Sequence, residues 1–178
     1  SYTVGDLFPN LVAGTNGSTS TTFQLQVGDF DHDGDIDLLY WNGSSDSYYR
    51  NDGGGSFTHF ATLAGTPFSG LSILPDYVAQ YTAFEDFNGD GAKDFFFLGG
   101  GAYHYLTYSG GNYVESTSPF TALGVSTTKD AFLAGDFDSD GDIDLVYWTG
   151  SASAYYRNDG GGSFTNITDM SLTPFAGV

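Results

Sequence analysis

The sequence predicts an all-β protein built of short antiparallel strands joined by tight turns, and three observations carry that prediction. The apolar residues are dominated by aromatics, 16 Phe and 13 Tyr among 178 residues, interrupted by 26 Gly; this is the composition of short strands that turn back sharply. No long apolar stretch follows the 3.6-residue period of an amphipathic helix. A nine-residue acidic stretch, Asp29-Phe30-Asp31-His32-Asp33-Gly34-Asp35-Ile36-Asp37, returns almost unchanged as Asp136-Phe137-Asp138-Ser139-Asp140-Gly141-Asp142-Ile143-Asp144. A looser copy, Asp86-Phe87-Asn88-Gly89-Asp90-Gly91-Ala92-Lys93-Asp94, lies between them.

The acidic stretches belong to a longer repeat. Residues 27–70 align with 134–177 at a constant offset of 107 without a gap, about two-thirds of them identical. Both copies carry Tyr-Trp (Tyr40-Trp41, Tyr147-Trp148), the run Tyr-Tyr-Arg-Asn-Asp-Gly-Gly-Gly-Ser-Phe-Thr (48–58, 155–165) and Thr-Pro-Phe (66–68, 173–175). The middle unit is diverged, with Phe-Phe-Phe-Leu at 95–98 and Tyr108-Ser109-Gly110-Gly111-Asn112-Tyr113 at the corresponding places. The order is A–B–A, with a period of about 50 residues.

Taken in order, the first unit divides into four strands: Thr22–Gly28 enters the acidic loop, Ile36–Trp41 leaves it, Asp46–Arg50 follows a turn at Gly43, and Ser56–Leu63 follows Asn51-Asp52-Gly53-Gly54-Gly55. Four short antiparallel strands repeated at this period describe blades of β-propeller type. The expected boundaries are 21–70 for the first blade, 71–122 for the second and 123–178 for the third. Residues 1–20 have no acidic loop, and Tyr2 to Leu11 loosely resembles Tyr113 to Phe120. They are read as one leftover strand of a preceding blade. Propellers close with about 4–8 blades, so three blades imply part of a larger propeller or an assembly of copies.

The formal charge is −18, from 22 acids against four bases. Twenty of the acids are Asp, thirteen of them inside the three nine-residue windows, a skew that a generic solvated surface would not show. One divalent cation per window would bring the charge to about −12. With no basic stripe, nucleic acid is excluded as a partner. There is no Cys, so neither a disulfide framework nor a thiolate metal site is available. No apolar run is long enough to span a bilayer. Ser1 opens the chain without a signal-peptide pattern, which implies a processed product or a fragment.

Asp at positions 1, 3 and 5 of a loop turns alternate carboxylates inward, and Gly at position 6 supplies a sharp turn. Position 7 offers its carbonyl and position 9 another carboxylate, a hard-oxygen set suited to Ca²⁺. In the first loop these are Asp29, Asp31, Asp33, the carbonyl of Asp35, and Asp37. An EF-hand needs Glu at position 12 and flanking helices. Tyr40 and Tyr147 stand at position 12, and the following residues are strand-like. A dockerin-type loop is set aside for the same reason.

The pattern Gly-Asp-Phe-Asp-x-Asp-Gly-Asp-Ile-Asp-Leu followed by Tyr-Arg-Asn-Asp-Gly-Gly-Gly-Ser-Phe resembles the FG-GAP/VCBS-type repeat of integrin α-subunit propellers and of secreted microbial proteins. The resemblance implies Ca²⁺ between the first two strands of each blade, about three ions in all. The implied ligands are Asp29, Asp31, Asp33, Asp35 and Asp37 in the first loop and Asp136, Asp138, Asp140, Asp142 and Asp144 in the third. In the middle loop they are Asp86, Asn88, Asp90, Asp94 and the Ala92 carbonyl, with Asn88 and Lys93 departing from the pattern and implying weaker binding there.

No catalytic constellation accompanies the loops. His32, His59 and His104 do not recur together, and there is no Gly-x-Ser-x-Gly elbow or Lys-bearing phosphate loop. The expectation is therefore a structural metal and no enzyme. Arg50 and Arg157 are the only arginines and share one context. They suit either a stacked sugar or carboxylate position with the neighbouring tyrosines or, preferred here, packing with a bond to an Asp or a carbonyl. Asn16-Gly-Ser, Asn42-Gly-Ser and Asn166-Ile-Thr are glycosylation sequons, and 15–22 is a Ser/Thr-rich connection. The function expected is an extracellular or cell-surface calcium-binding module, serving as an adhesion or structural scaffold. Its expected partners are further copies or repeats, with glycans or extracellular proteins as alternatives and no membrane insertion. The other readings are a lectin with sugar sites between blades and a non-catalytic module of a secreted enzyme.

Overall fold

The computed structural model describes residues 24–41, 46–71, 82–99, 102–120, 131–148 and 153–176. The leftover strand expected over 1–20 and the sequons at Asn16 and Asn42 lie outside these residues. The chain divides into two compact units, 1–79 and 80–178. The all-β expectation holds: the described residues form three four-stranded antiparallel sheets, and one 3-10 turn over Met170–Leu172 is their only helical element.

The first unit contains one sheet, with strands in chain order β1 (Gln24–Gly28), β2 (Asp37–Trp41), β3 (Asp46–Asn51) and β4 (Phe57–Phe60). The acidic loop is the β1–β2 connection, so Gly28 pairs with Asp37 at its mouth. The Asn51–Ser56 hairpin joins β3 to β4, with Gly53, Gly54 and Gly55 all at positive φ, a conformation that the Gly-Gly-Gly run makes accessible. The last strand is shorter than the expected Ser56–Leu63. Beyond Phe60 the backbone enters successive turns, with Thr66 N–H donating to the Leu63 carbonyl (3.2 Å) and Ser69 N–H to the Thr66 carbonyl (3.0 Å). These turns fold Phe68 back onto the sheet.

The second unit contains two sheets of the same plan. One comprises β5 (Thr82–Glu85), β6 (Asp94–Gly99), β7 (Ala102–Ser109) and β8 (Asn112–Glu115). The other comprises β9 (Ala131–Gly135), β10 (Asp144–Trp148), β11 (Ser153–Asn158) and β12 (Phe164–Ile167). Their first strands, β5 and β9, are neighbours. Between the sheets lies an aromatic core that includes Phe87, Phe96, Tyr105, Phe120, Phe132, Tyr147 and Tyr156. Phe96 meets Phe132 at 5.0 Å and Phe120 meets Phe164 at 4.7 Å between ring centroids. Such ring pairs contribute beyond the area they bury. Every residue of β6 is buried, as expected of an apolar strand covered on both faces.

Candidate metal centre

Each acidic loop is first a device for satisfying its own backbone. The position-1 carboxylate accepts from the N–H groups of positions 5 and 6. In the first loop, Asp33 and Gly34 N–H donate to Asp29 at 3.1 Å each. In the middle loop, Asp90 and Gly91 donate to Asp86 at 3.2 and 2.9 Å. In the third, Asp140 and Gly141 donate to Asp136 at 3.1 Å each. Position 5 then accepts from position 7, at 2.9 Å for Asp33, 2.8 Å for Asp90 and 3.0 Å for Asp140. The winding needs two residues at positive φ. Position 6 is always Gly (Gly34, Gly91, Gly141), whereas position 4 is Gly89 in the middle loop but His32 (φ 62°) and Ser139 (φ 66°) in the others.

The position-9 carboxylates are the anchors. Asp37, Asp94 and Asp144 have no exposed surface. Each accepts a hydrogen bond from the position-2 backbone N–H, at 3.1, 3.2 and 3.0 Å from Phe30, Phe87 and Phe137. Each also accepts from a tyrosine on the third strand of its sheet: Tyr48 at 2.6 Å, Tyr105 at 2.6 Å and Tyr155 at 2.7 Å. In the outer loops the second carboxylate oxygen takes the N–H of Asn51 or Asn158, both at 2.8 Å. A buried carboxylate requires such partners. Burial and the adjacent carboxylate hold the three tyrosine hydroxyls well above their ordinary value, so they act as fixed donors.

In the outer loops, positions 1, 3 and 9 converge. Ligand oxygens of Asp29, Asp31 and Asp37 lie within 4.8 Å of one another, and so do those of Asp136, Asp138 and Asp144. Burial, with Asp37, Asp33 and Asp29 nearby, raises the Asp31 carboxyl above its ordinary value; burial and Asp144, Asp140 and Asp136 do the same for Asp138. The basic side chains of the described residues are engaged elsewhere: Arg50 with Asp52, Arg157 with Asp159, and Lys93 with Glu85. Converging hard oxygens with a shared excess of negative charge fit Ca²⁺, whose ligands sit about 2.3–2.6 Å from the ion. Asp33 and Asp140 cap backbone, and Asp35 and Asp142 direct Oδ2 toward the hairpin glycines. A Cβ at Gly53 would lie 3.2 Å from Asp35, and one at Gly160 would lie 3.6 Å from Asp142. The carboxylates brought together in each outer loop are thus those of positions 1, 3 and 9, and the part expected of position 7 is that of its backbone carbonyl.

The middle loop is built differently. Asn88 Oδ1 accepts from Asp90 N–H at 2.8 Å, while Nδ2 donates to Asp90 at 3.1 Å and to Asp94 at 3.4 Å. An amide thus bridges carboxylates at the position where the other loops place a third carboxylate. Burial pushes Asp94 up to about 6, with Asp90 and Asp86 adding to the effect and the Tyr105 and Phe87 hydrogen bonds opposing it. Lys93 is held away by Glu85 at 2.8 Å and lies over the Phe84 ring. The Ala92 N–H caps Asp90.

Sequence reasoning overlooked the tyrosine anchors and an aromatic triangle that repeats in all three sheets. The position-2 Phe, the anchor Tyr and a Phe beyond the last strand pack together as Phe30–Tyr48–Phe68, Phe87–Tyr105–Phe120 and Phe137–Tyr155–Phe175. The Phe–Phe centroids are 5.2, 5.4 and 5.2 Å apart. The last Phe is set by a Thr or Ser hydroxyl that accepts its N–H, at 3.2 Å in each case from Thr66, Ser118 and Thr173. The signal was available, because Ser118-Pro119-Phe120 is the middle unit's form of Thr-Pro-Phe.

The arginines do bond to Asp, but within their own hairpins. Arg50 Nε donates to Asp52 at 2.8 Å, and Thr58 donates to the other oxygen at 2.6 Å; Arg157, Asp159 and Thr165 repeat the arrangement. The histidines serve packing or lie exposed. His59 stacks on Tyr49 at 4.5 Å, His104 stacks on Phe97 at 5.2 Å and meets Glu115, and His32 is exposed. Asn166 of the third sequon is exposed, and its amide donates to the Tyr156 hydroxyl.

A sheet of four strands with a carboxylate loop between the first two, repeated three times, defines a propeller-type repeat module. The model of the FG-GAP-like repeat matches residues 8–78, 86–147 and 136–178, and the chain belongs to that family. No curated protein matches the chain. Among solved structures it is similar to a lectin of Agrocybe aegerita described as specifically recognising non-reducing terminal N-acetylglucosamine. That match has 19% identity and a TM-score of 0.55, and covers 87% of this chain and 40% of the lectin. The likeness is one of fold, and the chain spans less than half the lectin's length.

Proposed function

We propose that this chain is a calcium-stabilised, extracellular propeller-type module that binds or scaffolds rather than catalyses. The observation that carries the reading is the convergence of Asp29, Asp31 and Asp37, repeated at Asp136, Asp138 and Asp144, on anchors that join loop, third strand and hairpin. When bound, Ca²⁺ offsets the shared negative charge. The chain's own residues do the rest: Asp29 and Asp136 wind the loops, the buried Asp37 and Asp144 tie them to Tyr48 and Tyr155, and Asn51 and Asn158 tie them to the hairpins. The loop carboxylates are thus engaged in structure, which supports a non-catalytic module. No helix among the described residues is long and apolar enough to cross a membrane, and membership of the FG-GAP-like family supports an extracellular setting and an adhesion or scaffold role.

Thermal unfolding in excess Ca²⁺ against EGTA tests this reading. At a hundredfold excess over Kd, each site adds about 2.7 kcal/mol, which raises the midpoint by several degrees. Coincident curves would remove the calcium reading. The fold likeness to the Agrocybe lectin supports a second reading, recognition of glycans. Saturable binding to any terminal sugar on a glycan array supports it, and a silent array removes it.

A further inference from the structure

The middle loop differs from its neighbours in a pair of residues whose chemistry the metal reading does not use. Where the outer loops carry Asp31-His32 and Asp138-Ser139, the middle loop carries Asn88-Gly89. An asparagine side-chain carbonyl lies one five-membered ring closure from the backbone nitrogen of the next residue, and a following glycine leaves that nitrogen uncrowded. Gly89 is exposed, at φ 73°. Of the three loops, the middle one alone can therefore exchange an amide at position 3 for a carboxylate by closing a ring on its own backbone.

The contacts around this pair match the parts of that reaction. The Gly89 N–H, whose nitrogen would attack, donates to Asp86 Oδ1 at 2.8 Å, so a carboxylate stands ready to take its proton. Asn88 Oδ1, which gains negative charge as the ring closes, accepts from the Asp90 N–H at 2.8 Å, the distance of an oxyanion donor. Asn88 Nδ2, which would leave, donates to Asp90 at 3.1 Å and to Asp94 at 3.4 Å. The backbone of Asn88 is braced from the third sheet. A Cβ on Gly162 would meet its Cα and Cβ at 3.4 Å, and the Asn158 amide holds the Phe87 carbonyl at 3.0 Å. Such bracing lowers the ordering cost of the attack. The product also has a place. In the first loop the Asp31 carboxylate accepts from the Asp33 N–H at 3.3 Å, the contact that Asn88 Oδ1 already makes with Asp90.

We propose that Asn88-Gly89 is a self-modifying site, at which the folded middle loop converts Asn88 to aspartate through a succinimide. The Gly89 nitrogen attacks Asn88 Cγ, an N–Cγ bond forms, and the N–H proton passes to Asp86. The Cγ–Nδ2 bond then breaks, and Nδ2 leaves as ammonia with that proton. One water opens the ring. Addition at Cγ breaks the new N–Cγ bond and leaves aspartate, whereas addition at the main-chain carbonyl of Asn88 leaves isoaspartate. The Asp90 N–H polarises the Cγ carbonyl and so favours aspartate. The exchange consumes one water, releases one ammonia and involves no oxidant or reductant. It gives the middle loop the position-3 carboxylate of the outer loops. It also replaces the donor between Asp90 and Asp94 with a like charge, adding one negative charge to the net −18. This inference does not rest on the calcium reading.

Peptide mapping by mass spectrometry tests it, on the chain held folded in plain buffer or unfolded in urea at the same mildly alkaline pH. The chain has three Asn-Gly pairs, at Asn16, Asn42 and Asn88. In urea they are expected to change at similar rates and to give mainly isoaspartate. In the folded chain Asn88 is expected to gain the mass of an amide-to-acid exchange about tenfold faster than in urea, a small part of the roughly 10²–10³ that one oxyanion donor is worth in an enzyme. Its main product is expected to be aspartate. Asn88→Gln, which would need a six-membered ring, is expected to show no gain at that position. Asp86→Asn keeps an acceptor but loses the base, and is expected to slow the change. A folded chain in which Asn88 changes no faster than in urea, or gives isoaspartate in the unfolded proportion, would overturn the inference. The comparison within the unaltered chain decides the matter even where circular dichroism shows a variant to be misfolded.

Discussion

His32 and Ser139 carry side chains at φ 62° and 66°, where the middle loop has Gly89 at 73°. A Cβ in this region costs about 1–2 kcal/mol, so His32→Gly and Ser139→Gly are each expected to raise stability by about 1 kcal/mol in urea unfolding. An unchanged midpoint would show that the loop relieves the strain elsewhere. The anchor tyrosines predict the opposite sign. Tyr48→Phe and Tyr155→Phe remove a 2.6–2.7 Å hydrogen bond to a buried carboxylate, with an expected loss of about 1.5–3 kcal/mol. Because the tyrosine orients a converging carboxylate, Ca²⁺ affinity measured by calorimetry is expected to fall about 10–100-fold. Affinity and stability moving together would place Asp37 and Asp144 in both roles; stability moving alone would make them anchors only.

At the scale of the element, the loop–strand–hairpin unit was legible where the chain repeats itself. The strand following position 9 and the glycine turns follow from spacing and composition. The anchor tyrosines did not, because Tyr48-Tyr49 reads as one aromatic pair. Only strand pairing shows that Tyr48 points at Asp37 while Tyr49 faces the other way onto His59. Nor did spacing separate the converging acids from Asp33 and Asp35, since all five share the same alternation; only the placement of the carboxylate oxygens in the fold makes the distinction. The hairpins carry their own prediction. The Thr58 and Arg50 hydrogen bonds hold the Asp52 carboxyl below its ordinary 3.8, and Thr165 and Arg157 do so for Asp159. A depressed carboxylate contributes stability that is fully present above the unfolded value and lost as pH falls through the folded one. The Arg–Asp–Thr clamps are thus expected to persist below pH 3.8. Following the Asp52 carboxyl by NMR titration checks this: Thr58→Val should raise its midpoint, and a parent midpoint at or above 3.8 would remove the clamp.

For the whole molecule, the sheets differ in the carboxylates that their loops gather. The outer loops converge three carboxylates each, whereas the middle loop bridges Asp90 and Asp94 with the Asn88 amide. Calcium titration is accordingly expected to resolve two tight sites, with any third much weaker, and Asn88→Asp to convert the middle loop into a third tight site. A parent binding three ions equally would show that the amide turns its oxygen inward at little cost. The weaker binding expected of the middle loop was legible in Asn88, but its cause was not, because only the fold brings the Asn88 amide against Asp90 and Asp94. The bond from Asn158 to the Phe87 carbonyl has a further consequence. Phe87 lies between Asp86 and Asn88, so the hairpin of the third sheet braces the loop of the second, and Gly162 packs against Asn88 so closely that a Cβ would meet it at 3.4 Å. Opening the middle loop therefore requires the neighbouring hairpin to let go. In hydrogen exchange the two should lose protection as one step, making residues 80–178 a single cooperative folding unit rather than two blades that melt in turn.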